Sequence, residues 1–345
     1  MTSLLKELTE IPGVAGAEDE VRAFIGRELR NVVQDVWTDA LGNVFARKPA
    51  ARQAVSALRV MVAAHMDEVG LMITHIEENG RLKFQPVGGM DQRVLLSKTV
   101  RIGKHGVPGV IGVKPIHLLK PEERDKAVKT EDMTIDIGAN NRRDAEGYVK
   151  IGDYASFATE FGTIGNLIAA KALDDRAGCA LLLNLLKGEY EFELVAVFTV
   201  QEEVGLRGAH VAAYSIRPDV AIVLEGTIAD DLPKKRDESP TSKLGGGPAI
   251  TLVDRMVVVD RGLVEMIIRS AEDNSIPFQI KQPLVGATDA GPIQRTGAGV
   301  RSAVVAVPCR YLHTPVSLMD PIDYENTSRL IGKVLARLPE WARSG

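Results

Sequence analysis

Residues 59–68 read RVMVAAHMDE, a short apolar run that ends in histidine and acidic residues. A continuous apolar run of this length predicts a strand buried on both faces, as in a parallel sheet. Similar runs occur as LVAVFTVQEE at 194–203, VAIVLE at 220–225 and SAVVAV at 302–307. Helix-like segments separate these runs. The sequence therefore predicts an α/β fold, with a mixed sheet and helices on both faces.

The middle of the chain, from about Asp67 to Gly165, has a different pattern. Short β-like pieces alternate there with glycine and proline, for example KFQPVGGM at 83–90 and GVIGVK at 109–114. This alternation is typical of a small, mostly antiparallel β domain. We therefore predict a discontinuous α/β domain, residues 1–66 and 166–345, with a small β-barrel domain inserted at 67–165.

The composition of the 345 residues excludes several classes of protein. A formal net charge of −4 argues against a nucleic-acid or anionic-membrane partner held by bulk charge. The only two cysteines, Cys179 and Cys309, exclude a disulfide framework and a cysteine-rich zinc module. The longest apolar runs are far shorter than a membrane span, and no signal-peptide core is present. We therefore expect a cytoplasmic protein.

Side chains of the metal-ligand type follow the predicted strands and begin one predicted helix. They are His65, Asp174, Glu202, Glu203, Glu225 and His313. Sites in open α/β sheets form beyond the carboxyl ends of the strands, so we expect these side chains to lie close together. Clustered carboxylates repel one another, and cations among them relieve the repulsion. Histidine and carboxylate ligate zinc, cobalt and manganese, which predicts a centre for divalent metal ions.

Several stretches carry a resemblance to a known family. They are AAHMDEVG at 63–70, KALDDRAGC at 171–179, TVQEEVGLRGA at 199–209, GATDAG at 286–291 and RYLHTPV at 310–316. Over nearly the whole chain the sequence resembles the M42 metallopeptidases, dinuclear aminopeptidases that include the tetrahedral TET enzymes and glutamyl aminopeptidases. The resemblance implies a zinc-peptidase-like α/β domain with catalytic function and an inserted domain that pairs subunits.

The resemblance also implies a role for each of the acidic and histidine side chains predicted to meet at the edge of the sheet. The metal ligands are His65 and Glu225 for one ion, Glu203 and His313 for the other, and Asp174 as the bridging carboxylate. Glu202 resembles the general base, and Asp67 the acidic residue that orients His65. A metal-bound histidine needs an acceptor for its other ring nitrogen, which is an independent reason for Asp67. Many family members carry aspartate at the position of Glu225.

The cofactors and partners follow from the same resemblance. It implies two divalent metal ions per subunit, zinc foremost and cobalt or manganese as alternatives. It implies peptide substrates, from which N-terminal residues are removed by a metal-activated water. It further implies self-association into a homo-oligomer, a tetrahedral dodecamer built from dimers.

Three other interpretations remain open from the sequence alone. The first is a related metal-dependent amidase or deacylase. The second is a glycoside hydrolase that uses Glu202 and Glu225 as paired carboxylates, although this leaves His65 and His313 without a role. The third is an assembly protein with a vestigial site. This interpretation conflicts with the presence of residues able to ligate metal at all five implied ligand positions.

Overall fold

The computed structural model describes residues 2–51, 58–121, 126–233, 240–282 and 285–344. A large mixed sheet with helices packed on it is joined to a closed six-stranded barrel. This architecture confirms the predicted fold class of a mixed α/β sheet with a small β-barrel. None of the helices in these ranges combines the length and the apolar character needed to cross a membrane.

The strands and helices have the following bounds. The strands are β1 (Asp35–Thr38), β2 (Val44–Lys48), β3 (Arg59–His65), β4 (Gly70–Ile76), β5 (Leu82–Val87), β6 (Thr99–Ile102), β7 (Val107–Gly112), β8 (Thr134–Asp136), β9 (Tyr154–Phe157), β10 (Gly162–Ile164), β11 (Leu167–Ala170), β12 (Glu193–Thr199), β13 (Val220–Ile228), β14 (Ala249–Ile250), β15 (Gln279–Ile280), β16 (Arg301–Arg310) and β17 (Ser317–Met319). The helices are α1 (Thr2–Glu10), α2 (Asp19–Arg30), α3 (Arg142–Glu146), α4 (Leu173–Leu185), α5 (Arg207–Ile216), α6 (Arg261–Asp273), α7 (Ala290–Gln294) and α8 (Pro321–Ser344).

The large sheet has four parallel strands at its centre. Its strand order is β1-β2-β12-β3-β13-β16-β17-β11-β10, with β14 paired to β16 and β15 paired to β14. Strands β12, β3, β13 and β16 are parallel neighbours in that order. Residues 60–64 of β3 are almost fully buried, as the continuous apolar run predicts. The carboxyl ends of all four strands consequently meet at one edge of the sheet.

The barrel has the strand order β4-β5-β8-β7-β6-β9 and an apolar core of its own. Leu71, Ile73 and Ile135 belong to this core and are fully buried. Division of the chain into domains at 67 and 165 remains a proposal. Strand β10, near the second of these boundaries, pairs with β11 in the large sheet.

A buried ion pair fixes the segment that follows β3. The Lys171 ammonium contacts both carboxylate oxygens of Glu68, at 2.6 and 2.8 Å, and also donates to the carbonyl of Ile11. Glu68 additionally accepts the backbone N–H of Gly13 at 3.0 Å. The Arg176 guanidinium, which is fully buried, donates to the carbonyl of Met66 at 2.7 Å. These contacts hold the N-terminal segment and the end of β3 together.

Lys171→Met is expected to destabilise the protein by about 3–5 kcal/mol, since it leaves the Glu68 carboxylate buried without its main counter-charge. Urea denaturation followed by circular dichroism measures the change in the unfolding midpoint. The matched control is Arg261→Met, which breaks the exposed pair of Arg261 with Glu265. An exposed pair contributes about 0–1 kcal/mol. Equal midpoints for the two variants would contradict a stabilising role for the buried pair.

Candidate metal centre

The predicted ligand side chains all lie at one edge of the large sheet. His65 is the last residue of β3, and Glu202 and Glu203 follow the end of β12. His313 follows the end of β16, and Asp174 lies in the first turn of α4. Glu225 lies inside β13, because pairing with β16 extends this strand to Ile228, past the apolar part of the run at 220–224.

Two groups of side chains share Asp174. In the first, His65 Nε2 lies 3.2 Å from Asp174 Oδ1 and 3.1 Å from Glu225 Oε1. In the second, His313 Nε2 lies 3.3 Å from Glu203 Oε2 and 3.7 Å from Asp174 Oδ2. The candidate ligand atoms of each group lie within 4.8 Å of one another. The two oxygens of Asp174 thus face two different histidines, as expected of a carboxylate between two cations.

Both imidazole rings are oriented by backbone carbonyl groups. His65 Nδ1 lies 3.1 Å from the carbonyl oxygen of Asp67, and His313 Nδ1 lies 2.8 Å from that of Gly89. A carbonyl oxygen only accepts hydrogen bonds, so in each neutral ring the proton is assigned to Nδ1. The Nε2 lone pairs of the neutral rings then point at carboxylate oxygens. This contact is repulsive unless a cation lies between them.

Asp67 connects His65 to the Glu202–Glu203 turn. Its two carboxylate oxygens accept the backbone N–H groups of Glu202 and Glu203, each at 3.0 Å. Gln201, just before them, has a φ of 56°, so the chain turns sharply after β12. The Asp67 carboxylate lies 3.6 Å from His65 Nδ1, farther away than the Asp67 carbonyl oxygen. Orientation of His65 by the Asp67 side chain stays a prediction.

The pKa values of the clustered carboxyl groups are strongly perturbed. Burial, reinforced by the charge of Asp174, raises the pKa of Glu203 to about 7 and that of Glu225 to about 8. Burial also raises the pKa of Glu202 well above its ordinary value, with Glu225 adding to the effect. Burial opposes ionisation of Asp174, but hydrogen bonds from the rings of His313 and His65, when these are protonated, hold its pKa below the ordinary value. The cluster therefore holds more carboxylates than its histidines can neutralise.

These observations fit divalent metal ions. Glu225 Oε2 is buried and has no hydrogen-bond partner among the described residues. A buried polar atom without a partner is costly, and a cation beside it would remove the cost. Imidazole nitrogen and carboxylate oxygen are the ligand set of zinc, cobalt and manganese. The donors, their spacing and the orphaned oxygen all suit such an ion.

Two contributors to the site were not assigned from the sequence. The carbonyl of Gly89, which orients His313, belongs to the loop after β5, a strand of the barrel. The barrel part of the chain therefore helps to position a candidate metal ligand. Asp289 is buried and accepts a 2.6 Å hydrogen bond from Thr199 at the end of β12. The GATDAG stretch at 286–291 was the available signal for Asp289.

The fold and the side-chain set define a class, an α/β protein able to hold divalent cations at the rim of its sheet. Comparison with known proteins narrows that class. The family model for M42 glutamyl aminopeptidase matches residues 42–330. The chain therefore belongs to the M42 aminopeptidase family, and this membership implies divalent-metal binding.

Curated relatives match over nearly their whole length. A lysyl aminopeptidase of Pyrococcus furiosus is 35% identical, and the match covers 97% of this chain and 96% of the relative. A glutamyl aminopeptidase of Lactococcus lactis is 29% identical, with 97% and 95% covered. The names of these two relatives specify different N-terminal residues, lysine and glutamate.

Solved structures give the same fold. The TET aminopeptidase from the archaeon Thaumarchaeota archaeon SCGC AB-539-E09 has a TM-score of 0.93 and 37% identity, covering 98% of this chain and 96% of that one. The Pyrococcus horikoshii TET1 peptidase, described as assembling into a tetrahedron or a large octahedral shell, has a TM-score of 0.85 and 33% identity, covering 97% and 99%. A Thermotoga maritima structure named endoglucanase has a TM-score of 0.81 and 35% identity, covering 99% of each chain.

Proposed function

We propose that this chain is a metal-dependent aminopeptidase that removes N-terminal residues from peptides at the rim of its large sheet. The observation that carries the proposal is the position of Asp174, with one carboxylate oxygen toward His65 and the other toward His313. This arrangement suits two cations that share one carboxylate, which is a hydrolytic arrangement. Membership of the M42 family supports the same activity.

Five residues would hold the metal ions in the proposed site. His65 and Glu225 would bind one cation, Glu203 and His313 the other, and Asp174 both. Zinc is the proposed metal, with cobalt and manganese as the alternatives that this ligand set suits. Divalent cations supply Lewis-acid polarisation of the peptide carbonyl and make water a stronger acid.

Glu202 is the proposed general base. It lines the same cavity as Asp174 and His313 but belongs to neither of the two groups that share Asp174. Its carboxylate would take a proton from the attacking water and later deliver it to the amine of the leaving peptide. Asp67 would hold the Glu202–Glu203 turn in place through the two backbone N–H groups it accepts.

The alternative functions have less support. A glycoside hydrolase that uses Glu202 and Glu225 gives no role to the two histidines, and the family match and the curated relatives are peptidases. The endoglucanase name of the Thermotoga maritima neighbour does not outweigh them. An amidase or deacylase would use the same metal ligands, so substrate chemistry separates it from an aminopeptidase.

N-terminal acetylation of a peptide is expected to block its cleavage. An aminopeptidase binds the free α-amine of the substrate near the acidic rim, and acetylation removes both the charge and the donors of that amine. We would compare a peptide with its acetylated twin by mass spectrometry, using metal-replete protein. Equal cleavage of both peptides would support the amidase or deacylase and contradict the aminopeptidase.

The same comparisons support self-association of the chain. A structural neighbour assembles into a tetrahedron or an octahedral shell. The proposed arrangement is a tetrahedral dodecamer built from dimers, with the barrel segment pairing the subunits.

Light scattering on the metal-replete protein is expected to give the mass of twelve subunits. Residues 67–165, the barrel segment, would supply the contacts within each dimer. A variant in which these contacts are disrupted should therefore no longer form the dodecamer. Multi-angle scattering coupled to size exclusion measures the mass directly at micromolar concentration. A monomer mass under these conditions would contradict both the assembly and the role given to residues 67–165.

A further inference from the structure

The turn that carries the proposed base, residues 200–203, is held by side chains from separate parts of the chain. The backbone N–H groups of all four residues donate to side-chain oxygens. Asn43 accepts the first of these N–H groups, and Asp67 accepts the last two. The second, the N–H of Gln201, donates to Glu18 Oε1 at 3.1 Å. The backbone of the turn therefore depends on three acceptors, of which Glu18 has no role so far.

Glu18 reaches the turn from the N-terminal part of the chain. Its residue is 3% exposed, and the same Oε1 atom also accepts the backbone N–H of Gly16 at 2.8 Å. Glu18 occupies the N-cap position of α2, where a side-chain oxygen commonly accepts a helix N–H, yet it makes no such bond. Helix capping therefore does not explain this side chain. One carboxylate oxygen instead joins the segment before α2 to the turn after β12.

The segment before α2 is itself fixed next to Asp67. The N–H of Glu68 donates to the carbonyl of Gly13 at 2.9 Å, and the N–H of Ala15 donates to the carbonyl of Glu68 at 3.2 Å. Glu68 directly follows Asp67 in the chain. Glu18 and Asp67 thus hold the turn from one connected support. A functional group is held precisely only where the residues that support it are fixed in turn.

The position of Glu18 is electrostatically unfavourable. No cation pairs with its carboxylate in the part of the chain that the structure describes. Burial raises the pKa of Glu18, and the charge of Asp67 adds to this effect, whereas the backbone N–H groups that it accepts oppose it. Burial of a carboxylate without a cation is costly, so stability alone does not account for a glutamate here. A charged acceptor does, however, make a hydrogen bond about twice as strong as a neutral one.

Gln201 needs a strong hydrogen bond because of its backbone conformation. Its φ of 56° lies in the left-handed region. This region is uncommon for residues other than glycine and persists where the surrounding contacts over-determine it. Gln201 directly precedes Glu202, so rotation of the backbone at Gln201 would redirect the Glu202 side chain. The hydrogen bond from the Gln201 N–H to Glu18 opposes that rotation.

We infer that Glu18 is a positioning residue for the proposed general base, because its bond with Gln201 keeps the Glu202 carboxylate beside the candidate metal centre. The inference rests on the aminopeptidase function proposed above, with Glu202 as the base. Glu18 is absent from the lining of the cavity that Glu202 shares with Asp174, so it acts through the turn. A misplacement of about 1 Å in a reacting group costs up to about 10²-fold in rate.

Glu18→Met removes the acceptor and nearly keeps the size of the side chain. It is expected to lower kcat about 10- to 100-fold with little change in KM, measured on the best-cleaved member of a panel of aminoacyl p-nitroanilides. Metal content should stay at the wild-type level, because Asp67 still holds Glu203. Glu18→Gln keeps an oxygen that accepts both N–H groups and should recover most of the lost kcat. The matched control Glu20→Met changes an exposed residue of α2 and should keep wild-type kcat.

Combination with Glu202→Gln separates positioning from a general structural effect. If Glu18 acts through Glu202, Glu18→Met should lower the residual kcat of the Glu202→Gln protein by no more than about twofold. A loss by the same factor in both backgrounds would mean that Glu18 supports the fold in general, and the inference would be wrong. Near-normal kcat in Glu18→Met would also overturn it. Loss of metal together with kcat would place the effect on Glu203 and exclude positioning of the base.

Hydrogen exchange tests the hold on the turn without an assay of activity. In Glu18→Met, the amides of residues 200–203 are expected to exchange roughly tenfold faster than in the wild type, the equilibrium effect of one hydrogen bond to a charged group. If this variant does not fold, Glu18→Asp, which shortens the side chain by one methylene, replaces it in both measurements. Unchanged exchange would contradict the inference whatever the activity. Faster exchange in a protein whose wild type cleaves no aminoacyl substrate would support the hold on the turn and contradict the aminopeptidase.

Discussion

Removal of divalent metal is expected to reduce aminopeptidase turnover by about a thousandfold or more. A cation in such a site contributes several kcal/mol of transition-state stabilisation, and each 1.36 kcal/mol is a factor of ten in rate. We would dialyse the protein against a chelator, verify metal loss by elemental analysis, and assay it before and after adding zinc, cobalt or manganese. Restoration by one of these ions is the expected result.

Thermal unfolding provides a control that does not depend on activity. A ligand that binds only the folded protein stabilises it, so the metal-replete protein should unfold at a higher temperature than the depleted one. Magnesium, which prefers octahedral oxygen coordination, serves as the comparison ion and should stabilise less. Full turnover by protein shown to be free of metal would contradict the proposed metal centre.

The central strands were predictable because strands buried on both faces appear in the sequence as continuous apolar runs. A parallel strand covered on both faces is apolar along most of its length, and the runs at 59–64 and 194–200 have this pattern. The convergence of the side chains that follow these strands was predictable as well, since parallel strands end at the same edge of the sheet. Their exact ends were less predictable. Pairing with β16 extends β13 past Glu225, and that pairing partner lies far along the chain.

The contacts that orient the site depend on distant parts of the chain. The Gly89 carbonyl reaches His313 from a loop that precedes it by more than two hundred residues, and no local pattern marks such a contact. Lys281 was missed for a related reason. It lines a cavity with Asp174 and Glu202, and it follows the strand β15, whose two residues are too few to show a periodic pattern. The Asp67 carboxylate lies 3.6 Å from His65 Nδ1, but its hydrogen bonds with the Glu202–Glu203 turn could not be predicted from the sequence.

Distances within the site distinguish its proposed metal ligands from its proposed base. Asp174, Glu203 and Glu225 each have a carboxylate oxygen within 3.7 Å of an imidazole Nε2. Among the described residues Glu202 has no such close contact with an imidazole, although its carboxylate oxygen lies within 4.8 Å of ligand-type atoms of His65 and Glu203. Glu202 therefore borders the centre, where a proton acceptor for an attacking water is needed.

Glu202→Gln is expected to lower kcat by about 10²–10⁴-fold, the usual contribution of a general base. The amide nearly matches the carboxylate in shape, but it has no basic oxygen to take the proton from water. Metal content, measured by elemental analysis, should stay at the wild-type level because the five proposed ligands are intact. Steady-state kinetics on a preferred aminoacyl substrate gives kcat and KM separately.

The matched control for this variant is Glu28→Gln, the same change at an exposed position of α2. It should retain wild-type kcat, which shows that loss of a carboxylate elsewhere has no general effect. A Glu202→Gln protein with full metal content and near-normal kcat would assign the base to another residue. A variant that loses metal together with activity would instead make Glu202 a ligand, as its position beside His65 and Glu203 allows. Only retained metal with lost turnover fits a base that acts next to the cations without binding them.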